Sequence, residues 1–193
     1  MRILFAALVF CVSFAVDAQN AIFRTYKEYV DSTGLPVQGV IDVVPRMGRF
    51  VVTYKKDGSE ERIPCKKVWG FRYNNILFRI EPEGDMPVRL MSHGAVYYWE
   101  NGFAHLHMQH DSTEASSFEY GRAAYLSKTI QSAIVPASFN ADDTSSASAK
   151  FRDANPAYAS MISCIGEGSE LDSVRQCVVE YEVDVEEGKA SMP

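Results

Sequence analysis

The sequence lacks the patterns that mark most enzymes and nucleic-acid-binding proteins. No serine, cysteine or aspartate stands in a known nucleophile motif, and no glycine-rich loop has the spacing that cradles a phosphate. Basic residues are scattered along a chain whose formal net charge is −6, so we expect no nucleic-acid partner. After the amino terminus, no apolar run is long enough to cross a bilayer. The missing catalytic signature favours a binding protein over an enzyme.

The first 18 residues, 1–18, have the three parts of a cleavable signal peptide. Arg2 gives a positive start, and the 14 largely apolar residues that follow are too few for a spanning helix of about 20. Val16 and Ala18 occupy the positions at which a signal peptidase reads small residues. We therefore predict an extracytoplasmic protein, in the periplasm, the outer envelope or the medium. Its mature chain starts near Gln19 and has no membrane span.

Few cysteines remain once this segment is removed: Cys65, Cys164 and Cys177. Export permits disulfides, and an odd number leaves one thiol without a partner in the chain. Cys164 and Cys177 fall on adjacent predicted helices, so we predict a disulfide between them. The alternative is two reduced thiols packed in the helix interface. Cys65 is predicted to be a buried, inert thiol.

The chain is rich in alternating apolar and polar residues, interrupted by short turn sequences. The turns are Asp57-Gly58, Asn74-Asn75, His93-Gly94 and Asn101-Gly102. They predict an up-and-down antiparallel meander of about eight short strands from Val37 to Gln109. Such a meander can close as a small barrel or remain a strongly curved sheet. Before it, Thr25 and Glu28 have capping-box spacing and predict a short helix over residues 26–31.

Two-residue turns fix the register, so each hairpin predicts which residues face one another. The predicted facing pairs are Val52 with Ile63, Phe71 with Phe78, Leu90 with Tyr97, and Trp99 with Ala104. Each hairpin then has one apolar face, while the mixed face carries Arg72, Arg79 and Tyr98.

Aromatic residues are frequent in the meander, and most fall on its apolar face. They are Trp69, Phe71, Tyr73, Phe78, Tyr97, Tyr98 and Trp99. We interpret the inward members as core. The alternative is a ligand pocket in the mouth of a barrel.

The carboxy-terminal part predicts helices packed on the β domain, which gives a mainly β fold with α (α+β). The β domain spans residues 19–138 and ends in extended structure. Residues 139–150 are small and polar, as in a linker or surface loop. Residues 151–183 carry two helical stripes that predict a hairpin of helices, the second capped by Asp172. Residues 184–193 are predicted to be a flexible tail.

One group of residues has metal-binding chemistry: His105, His107, His110 and Asp111. Two histidines at i and i+2 on a strand share a face and can bind one metal ion through their imidazole nitrogens. His110 and Asp111 follow at the strand end and could complete the site. The alternative is a set of surface or structural histidines, because the spacing does not match a strong zinc motif. No other cofactor is predicted.

Two stretches of the sequence resemble a known group of proteins. One runs from Ile63 through Trp69-Gly70-Phe71 to Tyr97-Tyr98, and the other contains Cys164-Ile165-Gly166 and Cys177-Val178. Both are similar to small exported proteins of Bacteroidetes-type bacteria that have no assigned function. The resemblance covers most of the mature chain and implies a Gram-negative envelope or secreted location. It transfers no catalytic or binding residue.

Three hypotheses about function follow. The first is an exported, non-enzymatic domain that binds an unknown protein or small ligand. The second is a metal-binding protein or metal-dependent enzyme that uses His105 and His107. The third is a hydrolase whose catalytic residues are dispersed in the sequence.

Overall fold

The structure of the protein is a computed structural model that describes residues 20–81, 85–110, 123–167 and 170–190. The side chains of residues 107–110 lie outside this description. The predicted signal peptide and Asp111 also lie outside the described residues. Among the helices that are described, none combines the length and the apolar composition needed to cross a bilayer.

The described chain forms eleven β-strands and five α-helices, with short 3-10 turns at Cys65–Lys67 and Pro156–Tyr158. The strands are β1 (Ala21–Phe23), β2 (Leu35–Pro36), β3 (Ile41–Arg46), β4 (Arg49–Lys56), β5 (Ser59–Pro64), β6 (Gly70–Tyr73), β7 (Ile76–Glu81), β8 (Met86–His93), β9 (Tyr97–Asn101), β10 (Ala124–Ser127) and β11 (Val135–Pro136). The helices are α1 (Tyr26–Val30), α2 (Gly102–His110), α3 (Ala147–Ala154), α4 (Ala159–Ile165) and α5 (Leu171–Glu186).

The strands form two antiparallel sheets. The large sheet has the order β11-β10-β9-β8-β7-β6-β1-β2, and the small sheet has the order β3-β4-β5. The mainly β, antiparallel fold with carboxy-terminal helices is confirmed. Over the described residues the large sheet ends in an edge on each side, at β2 and at β11, so it is open and not a closed barrel.

The first two predicted hairpins are confirmed with their registers. Val52 pairs with Ile63 in the small sheet, and Phe71 pairs with Phe78 in the large sheet. The turn residues Asp57 and Asn74 have φ of 51° and 48°, the left-handed conformation that aspartate and asparagine tolerate. In these two hairpins the turn residues and the alternation of apolar and polar residues predict the same register, and the structure has that register.

The third hairpin differs from its prediction. Leu90 pairs with Trp99 and not with Tyr97, because a bulge lies between Leu90 and Ser92 and the connection spans three residues, 94–96. This shift buries Val96 completely and places Tyr98 under the helices α3 to α5. Tyr98 was predicted on the outer face, and that prediction is wrong because helices cover this side of the sheet as well.

The fourth predicted hairpin is wrong, because helix α2 follows Asn101 in place of a returning strand. The Asn101 Oδ1 atom accepts a hydrogen bond from the Phe103 backbone amide at 3.0 Å, as an asparagine at a helix start does. Phe103 and Leu106 are 7% and 1% exposed and lie three residues apart on the buried side of the helix. A side chain at Gly102 would meet the Pro87 carbonyl oxygen at 2.6 Å, so this glycine permits close packing and does not form a turn.

The described residues form three buried clusters around the large sheet. The first joins β9 and β10 to α3, α4 and α5. The second joins β6 and β7 to β1, the small sheet and α2. The third lies around Trp99 and Ile134. Because Tyr98 and Trp99 alternate on β9, the helices and the Trp99 cluster occupy opposite faces of the large sheet.

The amino-terminal helix and the carboxy-terminal helices largely follow the predictions. The Thr25 Oγ1 atom accepts from the Glu28 backbone amide, which confirms the cap of α1. Cys164 and Cys177 form the predicted disulfide, with a Cα–Cα distance of 5.7 Å. Helix α3 begins at Ala147, inside the segment predicted to be a linker.

Helix α5 differs from its prediction at both ends. It starts at Leu171, so Asp172 lies in the first turn and does not cap the helix. It continues through Glu186 because Val185 is buried against the core, so the first residues of the predicted tail are helical.

Candidate functional site

Helix α2 separates the histidines that were predicted to share a strand face. The backbone of residues 102–110 is helical, and residues two apart in a helix do not share a face as they do in a strand. The prediction that His105 and His107 lie on a strand is therefore wrong. The side chains of His107 and His110, and all of Asp111, lie outside the described residues. Within the described part of the chain, no group of three or more histidine, cysteine or acidic side chains converges.

His105 is buried in a polar network, and both of its ring nitrogens are occupied. Nδ1 lies 2.7 Å from an Arg89 guanidinium nitrogen, and Nε2 lies 2.9 Å from Oε2 of Glu100. Because a guanidinium group can only donate, Nδ1 accepts, and the ring proton on Nε2 is donated to the carboxylate. Neither nitrogen offers a lone pair to a metal ion. His105 therefore acts as a buried connector in this arrangement.

Glu100 is the centre of that network and is 2% exposed. Its carboxylate accepts from the Tyr98 hydroxyl at 2.8 Å and from two nitrogens of Arg175 at 2.6 and 2.8 Å. Burial alone would raise the pKa of Glu100, but the hydrogen bonds from Arg175, His105 and Tyr98 outweigh it and lower the pKa to about 2. The network ties β9, α2 and α5 together. Glu100, Tyr98 and His105 are buried, and Arg175 covers Glu100 from the exposed side of α5.

A groove of about 540 Å³ lies on the opposite face of the large sheet, between α1 and the loop 128–134. Its volume is within the range of small-ligand sites. The lining residues are Tyr29, Arg72, Asn75, Ile76, Leu77, Arg89, Leu90, Met91, His93, Tyr97 and Ile130. No carboxylate belongs to this lining, although the whole chain carries an excess of negative charge. The groove is therefore a locally cationic and aromatic surface.

Arg72 provides the main charge of the groove. Its guanidinium group lies 5.7 Å from the ring centroid of Phe23 and 5.8 Å from that of Tyr29, at cation–π distance. Within the described residues, no carboxylate or carbonyl pairs with this group. Alternation on β6 points Arg72 away from Phe71 and Tyr73, which are in the core. Two aromatic rings therefore orient a cation whose hydrogen-bond donors remain available.

The wall formed by the loop 128–134 is held in place by Arg79. This buried arginine donates to the carbonyl oxygens of Ile130, Gln131 and Ser132, at 3.0, 3.2 and 2.6 Å. Burial lowers the pKa of Arg79, and nearby Glu81 opposes that effect. An arginine that binds three carbonyl groups of one loop fixes the backbone of that loop.

The wall formed by α1 is held by aromatic packing. The ring of Tyr29 lies 5.1 Å from that of Trp69 and 5.4 Å from that of Phe23, centroid to centroid. Tyr26 packs on the same tryptophan at 5.3 Å. With both walls held by the sheet, the groove is formed without a ligand.

The sequence contained part of this site. Arg72 was placed on the mixed face of its hairpin, and Tyr97 belonged to the aromatic residues considered for a pocket. Tyr97 lines the groove, whereas Phe71, Phe78 and Trp99 are core. Tyr29 and Ile130 reach the groove only through the tertiary fold, and no local pattern indicated them. Comparison of the chain with protein-family models, with curated proteins and with solved structures finds no match.

Proposed function

We propose that the protein is an extracytoplasmic, non-enzymatic binding domain whose sheet groove takes a small organic anion. The observation that carries the proposal is Arg72, an oriented cation without an anionic partner among the described residues, in a preformed groove lined by no carboxylate. The predicted signal peptide supports the location, and so does a disulfide, because disulfides persist in oxidising compartments.

The groove favours a carboxylate attached to a ring. A guanidinium group binds a carboxylate through two parallel hydrogen bonds. The ring faces of Tyr29 and Tyr97 offer stacking surfaces, and Leu77, Leu90 and Ile130 offer apolar contact. Glucuronate and benzoate have this combination of charge and ring, and they serve as probes of the chemistry.

The test is a titration of the mature protein with glucuronate and benzoate, followed by NMR and calorimetry. Glucose and benzamide are the matched neutral compounds. We expect the anions to shift the resonances of Tyr29 and Tyr97, and we expect Arg72→Gln to weaken their binding at least about tenfold, the cost of a charge-assisted hydrogen bond. Arg49→Gln removes the same charge from the small sheet and should change nothing.

Two results would contradict the proposal. One is the absence of any shift at Tyr29 and Tyr97 with either anion. The other is equal binding of the anions by the Arg72→Gln variant and the unchanged protein.

A further inference from the structure

The turn between β3 and β4 exposes a large apolar side chain. Met47 and Gly48 form this turn with φ of 48° and 73°, and Met47 is 96% exposed. Arg46 and Arg49 flank it, and both are exposed. A single exposed apolar residue needs no explanation by itself, but Met47 is the most exposed large apolar side chain among the described residues, and two arginines flank it.

A recess of about 630 Å³ lies beside this turn. Phe50, Val51 and Pro64 give it an apolar lining, and Lys66 and Lys67 stand at its rim. The two lysines belong to the 3-10 turn that follows β5, so the small sheet brings them to the arginines of the β3–β4 turn. We call the surface of Arg46, Met47, Arg49, Phe50, Lys66 and Lys67 the basic tip.

The four cations of the basic tip have no ion-pair partner within the described ranges. Residues 41–67 contain seven basic and four acidic residues, whereas residues 139–190 contain four basic and eleven acidic residues. The chain as a whole is negative, at −6. The small sheet and the 3-10 turn after it therefore carry a net positive charge, whereas the segment that forms α3 to α5 is strongly acidic.

We propose that the basic tip docks on a bilayer surface that contains anionic lipid, with Met47 among the headgroups and the four cations on lipid phosphates. A protruding apolar side chain within a ring of cations suits a soft, charged headgroup layer. A stable protein partner would bury about 800 Å² on each side through about 20–30 residues, and the basic tip has six. The apolar recess also argues against a nucleic acid, whose backbone is charged throughout.

The test is flotation of the mature protein with vesicles of phosphatidylcholine, alone or mixed with phosphatidylglycerol. We expect binding to the mixed vesicles only, and weaker binding as salt is added. The Lys66→Gln/Lys67→Gln pair should lower the partition coefficient about 25-fold, at about fivefold for each cation. Met47→Ser should lower it about tenfold through lost apolar insertion. All three positions are exposed, so these variants should fold.

The matched control is the Lys55→Gln/Lys56→Gln pair, which removes two exposed lysines from the other end of β4. It should leave the partition coefficient within about twofold of the original, because these residues lie far from the headgroups. Arg72→Gln should also leave it unchanged, which separates this proposal from the ligand groove.

Three results would overturn the proposal. The first is no binding, or equal binding to both kinds of vesicle. The second is an equal loss of vesicle binding in the Lys66→Gln/Lys67→Gln and Lys55→Gln/Lys56→Gln variants, since that would indicate general charge attraction without a docking surface. The third is salt-sensitive dimerisation in the absence of vesicles that is lost in Lys66→Gln/Lys67→Gln, since that would assign the basic tip to a second copy of the chain.

Discussion

At the scale of single residues, Glu100 combines near-complete burial with a stabilised negative charge. It is almost inaccessible, yet its pKa is held at about 2 against an ordinary value of 4.5. Because the folded-state pKa lies below the ordinary value, the carboxylate stabilises the fold fully above pH 4.5. That stability is lost as the pH falls towards about 2. The contribution is about 3 kcal/mol.

We expect Glu100→Gln to lower the free energy of unfolding by about 3 kcal/mol at neutral pH, because Arg175 then faces a neutral amide. The difference in the free energy of unfolding between this variant and the unchanged protein should shrink at low pH, where Glu100 itself takes up a proton. Urea unfolding at neutral pH and at about pH 3 measures both effects. Glu60→Gln, at an exposed ion pair with Arg62, should cost less than about 1 kcal/mol. A difference that is equal at both pH values would contradict the assigned role of Glu100.

Residue-level prediction from the sequence succeeded where burial alone decides the outcome. Cys65 was predicted to be inert and buried. It is fully buried, and burial, with the charge of Asp85, raises the pKa of its thiol to about 12. The buried contacts of His105 were not predicted, because they depend on Arg89 and Glu100, which reach it only when α2 folds back on the sheet. No spacing in the sequence encodes that approach.

At the scale of elements, turn residues predicted hairpins correctly where the turn is exposed. Asp57-Gly58 and Asn74-Asn75 lie in exposed turns, and the strands on either side keep strict alternation. At Gly94 the chain packs against Glu182 of α5, where a side chain would meet Oε1 of Glu182 at 2.6 Å. The longer connection, residues 94–96, allows this contact and buries Val96. The hairpin turn predicted at residues 101–102 is wrong because this Asn-Gly pair begins a helix.

The disulfide between α4 and α5 gives a prediction at the same scale. It closes a loop of 13 residues and joins the exposed Cys164 to the buried Cys177. Restriction of the unfolded chain should make the bond worth about 3 kcal/mol. We therefore expect Cys164→Ala/Cys177→Ala to unfold at correspondingly lower urea, as followed by far-UV circular dichroism.

Reduction provides the control for the disulfide prediction. A reducing agent should lower the stability of the unchanged protein to about that of the double variant, and it should leave the variant itself unaffected. Equal stability of the oxidised and reduced forms would show that helix packing, and not the bond, holds the hairpin of helices.

At the scale of the whole molecule, the two proposed surfaces lie on opposite sides of the large sheet. The small sheet packs on the face that carries Phe71 and Phe78, whereas the groove is lined by Arg72 and Leu77 of the same strands. Docking through the basic tip would therefore leave the groove open to solvent.

The two sheets should also unfold as one unit, because they share a core. The second buried cluster combines Ile41 and Val52 of the small sheet with Phe71 and Phe78 of the large sheet. The ring of Phe50 packs on that of Phe103 in α2, at 4.9 Å between centroids. A sheet of three strands needs a packed hydrophobic face for its stability, and here the large sheet and α2 cover that face. Loss of packing in the small sheet must then weaken the large sheet as well.

Ile41→Ala tests this coupling, because Ile41 is fully buried and its truncation should cost about 2–5 kcal/mol. Both tryptophans, Trp69 and Trp99, lie in or beside the large sheet and outside the small sheet, so their fluorescence does not report directly on the small sheet. We expect urea unfolding curves from tryptophan fluorescence and from far-UV circular dichroism to shift together. Ile162→Ala truncates a buried residue of α4, and it should shift both curves in the same way. If the small sheet unfolded independently, Ile41→Ala would leave the fluorescence transition in place and would separate the two curves.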